Sequence, residues 1–324
     1  MAEQTKEHQV VAINISENNW LGRGNRLNFE IEVDQESLIG NISYANPNYD
    51  FLGNSISYFL SNERNDKPDQ GYENTLVSTG IRTGFEQYKN IFTNLGLTAS
   101  YDDLRTLSTA SSSLKKQEGS YTDLYFDYGL NYDLRNSRYK PSSGNQTRFF
   151  QELPLVSDNQ EISNTLIFTQ FKKLSNTSDM VGKASIYLKA VNALESDSDV
   201  RISNRGSVPY SRLRGFEKGK IGPKDGNEYI GGNYVSSLNL SSNLPFILPT
   251  VETLDFSIFI DAANVWGVDY DSNIDDSNSI RSSTGVGVNL LTPVGPLSFS
   301  LSQPITKKST DKTESFRFNL GTTF

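Results

Sequence analysis

The sequence predicts an all-β chain, a transmembrane antiparallel β-barrel with about fifteen strands. Three observations carry that expectation. Apolar and polar residues alternate along most of the 324 residues, as in strands with one face in an apolar medium and the other in a polar one. The chain is polar for its aromatic content: mean hydropathy is −0.49, yet 16 Tyr and 18 Phe are present, too many for a disordered chain. No run of about 18 apolar residues occurs, so no helix of the sequence spans a membrane, and no helical segment can cover the apolar strand faces. A barrel reconciles all three. Its strands turn apolar side chains to lipid and polar ones to the lumen, and its aromatics gather at the two interfaces. A soluble β-sandwich also alternates, but its inner face is dry and its strands are shorter; partitioning into detergent separates the two.

Taken in order, residues 1–8 form a polar tail and 9–324 the barrel domain, with no internal boundary or low-complexity linker. The strand near 9–16 sets Val11, Ile13 and Ile15 against Ala12, Asn14 and Ser16. The next, 25–34, sets Leu27, Phe29, Ile31 and Val33 against Asn28, Glu30 and Glu32. Strands near 36–45 and 54–63 flank Asn46-Pro47-Asn48, read as a tight turn. Further strands are expected near 72–85, 90–104, 119–134, 144–153, 161–173, 179–194 and 231–243. The clearest alternation lies in 251–266, where Leu254, Phe256, Ile258 and Ile260 share one face and Asp255, Ser257 and Asp261 the other. Strands near 281–291 and 296–304 flank a second turn, Thr292-Pro293-Val294-Gly295-Pro296. Within 296–304, Leu297, Phe299 and Leu301 oppose Ser298, Ser300 and Ser302. The last strand, 314–324, sets Phe316, Phe318, Leu320 and Phe324 against Arg317, Asn319 and Gly321. The longest connector, about 195–230, is rich in Gly, Arg and Lys; a structureless loop of that length is functional or disordered.

Composition narrows the chemistry. A net charge of −8 and a pI near 4.9 argue against nucleic acid as a partner. The chain has no cysteine, which excludes disulfides and thiolate metal sites. His8 is the one histidine, so His-based triads and multi-histidine metal sites are excluded too. Catalytic residues, metal ligands and cofactors are each expected to be none, and the chain is not expected to be an enzyme. Asp102-Asp103 reads as an exposed-loop pair. Asp269, Asp271, Asn273 and Asp275 have the spacing of a calcium loop, but Ile274 and Ile280 stand where glycine and the bidentate glutamate belong; a solvated loop is expected instead. Gly231-Gly232-Asn233 and Gly285-Val286-Gly287 mark bends or close backbone approach rather than a phosphate loop.

The long connector carries Arg212-Leu213-Arg214-Gly215-Phe216, then Lys218, Lys220 and Lys224. The plain reading is a solvated basic loop. The sharper one folds it into the lumen, where parity places Asp261, and aims a guanidinium at that carboxylate.

Several motifs then occur in a set order. Asn18-Asn19-Trp20-Leu21-Gly22 comes first, followed by Asp133-Leu134-Arg135-Asn136 with Pro141-Ser142-Ser143-Gly144. After the arginine-rich motif come Ile221-Gly222-Pro223-Lys224 and Gly231-Gly232-Asn233. Phe259-Ile260-Asp261 through Val265-Trp266 and Thr292-Pro293-Val294-Gly295-Pro296-Leu297 close the series. Together they span nearly the whole chain and resemble the C-terminal barrel of the BamA-type outer-membrane assembly factors, in the bacterial surface antigen superfamily. The resemblance implies a sixteen-stranded barrel in the bacterial outer membrane that folds and inserts other β-barrel proteins. Its first and last strands pair weakly, and the seam opens to template incoming strands without covalent chemistry. Its implied partners are outer-membrane lipids, unfolded outer-membrane protein clients and, for a full-length protein, assembly lipoproteins.

Residue by residue, the resemblance makes Arg214, Gly215 and Phe216 the signature of a loop tucked into the lumen, with Asp261 as its partner. Gly222, Pro223, Gly231 and Gly232 would support that loop. Phe316, Phe318 and Leu320 would line the seam, and the terminal Phe324 matches a C-terminal signal read by assembly machinery. The chain departs from the family at Ser241, aligned with a second acidic partner, and at Val208-Pro209-Tyr210-Ser211, where Gly-Gly is usual. One strand precedes Trp20 where the family has two. Periplasmic polypeptide-transport-associated domains and a signal peptide are missing, since Met1 to Glu7 is polar, so a fragment of a longer protein is expected. Register then disfavours closure, with few or no backbone bonds between 9–16 and 314–324. The alternative function is a passive or polypeptide-secretion pore of the same superfamily, marked by steady ion conductance with the loop displaced.

Overall fold

The structure is a computed structural model that describes residues 11–34, 36–175, 177–196, 198–247, 253–271, 274–276, 278–292 and 295–320. Alternation propagates into pairing: fifteen strands form one antiparallel sheet in which each pairs with its neighbours in the chain. The first five are β1 (Val11–Trp20), β2 (Asn25–Val33), β3 (Ser37–Asn46), β4 (Ser55–Lys67) and β5 (Tyr72–Tyr88). Next come β6 (Ile91–Thr106), β7 (Gly119–Asp133), β8 (Gly144–Ser157), β9 (Glu161–Lys173) and β10 (Val181–Ala193). A long loop with its own small hairpin, β11 (Lys224–Asp225) and β12 (Glu228–Tyr229), follows. The sheet resumes with β13 (Tyr234–Asn243), β14 (Leu254–Trp266), β15 (Arg281–Thr292), β16 (Gly295–Thr306) and β17 (Phe316–Leu320).

Several strands outrun their side-chain alternation, because a ladder needs only backbone groups. β1 runs to Trp20 rather than ending near residue 16; Glu17 still faces Leu27, and an irregularity precedes the Trp20–Asn25 pair. Asn46 is paired with Ile56 inside β3, so the tight turn expected there is a longer connector. Asp50 organises it, its carboxylate accepting from the Leu52 and Asn54 amides. β13 begins only at Tyr234, and β17 is described from Phe316 to Leu320. In the turn after β7, Arg135 grips Asp133 through Nε (2.9 Å) and Nη2 (2.8 Å). The Asn136 side chain there accepts from the Ser142 and Ser143 amides. Pro293 and Val294 of the second proline turn lie outside the described residues.

The two sheet faces differ in chemistry. On the outer face Ile258, Val286, Leu301 and Phe316 stand side by side in register across four strands, and all are exposed. Phe29, Ile42 and Leu60 make a similar row on β2–β4. An exposed apolar band this wide is what a lipid-facing barrel wall requires. No helix among the described residues is long and apolar enough to cross a membrane. Arginine at Ile258 is expected to cost about 2–4 kcal/mol at mid-membrane depth. Spin labels along 254–261 should alternate in lipid exposure, and a flat profile would count against the barrel.

Among the described residues, ladders link the strands consecutively from β1 to β17, and none joins those two. β17 shares five residue pairs with β16, Leu297–Leu320 through Leu301–Phe316. Residues 1–10 and 321–324, Phe324 included, lie outside the described residues, as does the side chain of Leu320.

Candidate functional site

The loop between Ala193 and Tyr234 is neither solvated nor structureless: it folds back against the inner sheet face. Its centre is a bidentate pair. Arg214 donates to Asp261 from Nε (2.7 Å to Oδ2), from Nη2 (2.8 Å to Oδ1) and from its backbone amide (3.1 Å to Oδ2). Asp261 is fully buried and Arg214 nearly so. Phe259, two residues along the same strand face, lies beneath the guanidinium, its ring centroid 3.4 Å from Cζ. Charge-assisted hydrogen bonds and a cation–π contact thus act on one cation.

The fourth donor to Asp261 comes from Asn239, whose Nδ2 lies 2.9 Å from Oδ1 and 2.6 Å from the Arg212 carbonyl. Asn239 faces Asp261 across the β13–β14 ladder, whereas Ser241 faces Phe259. The second partner of the carboxylate is therefore a neutral amide, one strand step from the aligned serine. Arg212 donates from Nη1 to Ser185 at 2.8 Å and to the Asn239 side-chain oxygen at 3.4 Å.

Glycines let the loop approach the wall. Gly215 has φ +91°, and a Cβ there would sit 3.2 Å from Ser283 Cβ. Gly222 (φ +103°) would press on Val265 Cβ at 3.0 Å. Gly232 lies against the Trp266 backbone, which a Cβ would meet at 2.4 Å; it exchanges amide bonds with Gly206 at 2.8 and 2.9 Å. Gly231 (φ +66°) completes that bend, and Pro223, fully buried, accepts from the Ile230 amide at 3.2 Å. Phe216 is 2% exposed and packs with Val208, Leu213, Ile221, Val235, Ala263 and Val265. A dry core therefore lies between loop and wall.

A second anchorage escaped the sequence reading. Asp102 is not an exposed-loop residue: it sits in β6 with its side chain inward and 3% exposed, because parity sends only Asp103 outward. Its neighbour across the strands is Asn74, donating at 2.6 Å. Asp102 also accepts from Ser203 at 2.8 Å. Arg201, 3% exposed, donates to Asp123 at 2.8 Å, and its backbone amide to Glu161 at 2.7 Å. Inward carboxylates on three strands opposite an arginine-bearing loop were the available signal. Among the described residues no group of three carboxylates or histidines could hold a metal ion. Asp269, of the calcium-like spacing, accepts from Asn233 (2.8 Å) and the Val200 amide (3.0 Å) and pairs with Arg205; Asn273 lies outside the described residues.

The lysines are not free in solvent either. Lys218 lies 3.3 Å from Asp34 and Lys220 2.7 Å from Asp69, joining the loop to the connectors after β2 and β4. Lys224 sits over the Tyr229 ring at 4.7 Å. Farther along, burial pushes the Tyr210 phenol up to about 12, with Arg317 opposing the rise. On the last strand, Phe316 is exposed on the outer face. Phe318 faces Phe299 across the ladder, ring centroids 5.1 Å apart.

This arrangement braces the loop against the inner sheet face, and the chain has relatives in both sequence and fold. The family model described as the Omp85 superfamily domain matches residues 19–324. The outer membrane protein assembly factor BamA of Neisseria meningitidis is 28% identical over 97% of this chain and 45% of its own length. BamA of Neorickettsia risticii is 24% identical over 95% and 42%, respectively. The chain thus spans less than half the length of these curated relatives. Among solved structures, BamA from Haemophilus ducreyi lacking POTRA domains 1–3 superposes with a TM-score of 0.83 at 26% identity. That superposition covers 95% of this chain and 66% of the other. With the family match running through all but the first strand and most of the chain aligned to a solved barrel, this chain belongs to the Omp85 superfamily and is a transmembrane antiparallel β-barrel.

Proposed function

We propose that this barrel belongs to an outer-membrane assembly factor that folds and inserts client β-barrel proteins through the seam between its first and last strands. The work is done by strand pairing and lipid exposure, with no covalent step and no cofactor. Its partners on this reading are outer-membrane lipids, unfolded clients and the lipoproteins of an assembly complex. The observation that carries the reading is the alignment of nearly all of this chain with two curated assembly factors. In such a barrel an unpaired strand edge templates a new strand by main-chain hydrogen bonds. The fold of the BamA barrel superposed above supports the same reading.

Paired cysteines engineered in the first barrel strand and in β17 of the full-length protein, in a background free of other cysteines, give a clean lock. Oxidation is expected to stop client insertion and reduction to restore it. Undiminished insertion by the locked protein would sink the proposal. Steady ion conductance from the folded protein, with no insertion, would point to a pore instead.

A further inference from the structure

The last strand carries a buried arginine whose acceptors lie on the internal loop. Arg317 is the second residue of β17, opposite Ser300, and is 2% exposed. A guanidinium has five donors and no acceptor, so burying one requires acceptors around it. Nη2 donates to the carbonyls of Phe216 (2.7 Å) and Leu213 (3.2 Å), and Nη1 to that of Tyr210. The Tyr210 ring lies 3.6 Å from Cζ, and Nε donates to Glu314 at 2.6 Å. Three acceptors are therefore main-chain oxygens that bracket Arg214-Gly215.

The connector before β17 adds to the joint. Glu314 donates its amide to Gly215 (3.2 Å), Glu217 to Lys312 (3.1 Å) and Lys312 to Lys220 (3.1 Å). The Tyr229 hydroxyl donates to the Thr310 carbonyl at 2.7 Å. Loop and final hairpin thus share a main-chain ladder, a buried cation and an aromatic face.

We infer that Arg317 is a positioning residue that couples the internal loop to the last strand, so that β17 leaves the sheet only as the loop unseats. Withdrawing β17 from a seated loop would strand a buried charge and bare three carbonyls together, a larger penalty than moving both. The inference deepens the proposed function and rests on it for one consequence, that seam opening and loop position are linked. The linkage itself is measurable without any client.

The test is a double-mutant cycle read by amide hydrogen exchange in 316–320 of the full chain, folded in lipid vesicles. Gly215→Ala disturbs the loop at a position where a Cβ meets Ser283; Arg317→Gln breaks the coupling. With Arg317 present, Gly215→Ala is expected to speed exchange in β17 by about tenfold; with Arg317→Gln, by less than about twofold. Equal factors in both backgrounds, or no effect of Gly215→Ala in the first, would overturn the coupling and leave Arg317 a local brace. Should Gly215→Ala fail to fold, Ser283→Ala removes only the hydroxyl that donates to the Arg214 carbonyl and is read the same way. Arg317→Lys serves in place of Arg317→Gln on the same terms, because an ammonium cannot span three carbonyls. Intact coupling in a full-length protein that inserts no clients would sink the functional reading alone; client insertion with additive exchange effects would sink the coupling alone.

Discussion

Replacing Asp261 by Ala is expected to destabilise the folded barrel by about 3–5 kcal/mol, the scale of a buried ion pair broken from one side. The carboxylate is fully buried and accepts four hydrogen bonds, three from Arg214 and one from Asn239. Its loss strips a buried guanidinium, stacked on Phe259, of its bidentate carboxylate. Arg214→Ala is expected to fall in the same range, since it leaves the buried carboxylate without its counter-charge, held only by the residue-214 amide and Asn239. Urea unfolding of the barrel in vesicles measures both. The effect should persist in high salt, because screening reaches exposed pairs and not buried ones. Replacing both residues with apolar side chains should cost less than either single change, as the desolvation penalty then disappears with the pair. A loss below about 1 kcal/mol for Asp261→Ala would mean the site is wet and the pair behaves as a surface bridge.

Phe216→Ala is expected to cost about 3–5 kcal/mol, the sum of lost burial and a cavity that the rigid barrel wall cannot collapse to fill. Phe216 is 2% exposed and packs with Leu213, Ile221, Val235 and Val265. Half of that cluster belongs to the loop and half to the wall, so the cavity opens at the seam between them. Proteolysis within 194–233 should therefore accelerate in the variant before the sheet unfolds. Unchanged protease resistance would show that the ion pairs alone seat the loop.

Period-2 alternation, taken with low mean hydropathy, many aromatics and no long apolar run, pointed to a barrel of about fifteen strands, because lipid and lumen impose opposite demands on neighbouring residues. The same parity put Asp261 on the inner face, where the structure places it 0% exposed. Strand ends were less legible. Glu17, Trp20 and Asn46 stay in their ladders, although their side chains no longer alternate, since hydrogen bonding of the backbone ignores side-chain polarity. Asp102 misled for the opposite reason: adjacent acids look like a solvated loop until register sends one inward and one outward. Only the tertiary structure decided what the loop touches. Arg201 reaches Asp123 across 78 positions, and Arg317 reaches the Leu213 carbonyl across 104. Such contacts depend on how a sheet curves and where a loop falls within it. Local pattern specifies which face a side chain occupies; it carries no information about what lies across the lumen, and that distance is set by the whole barrel at once.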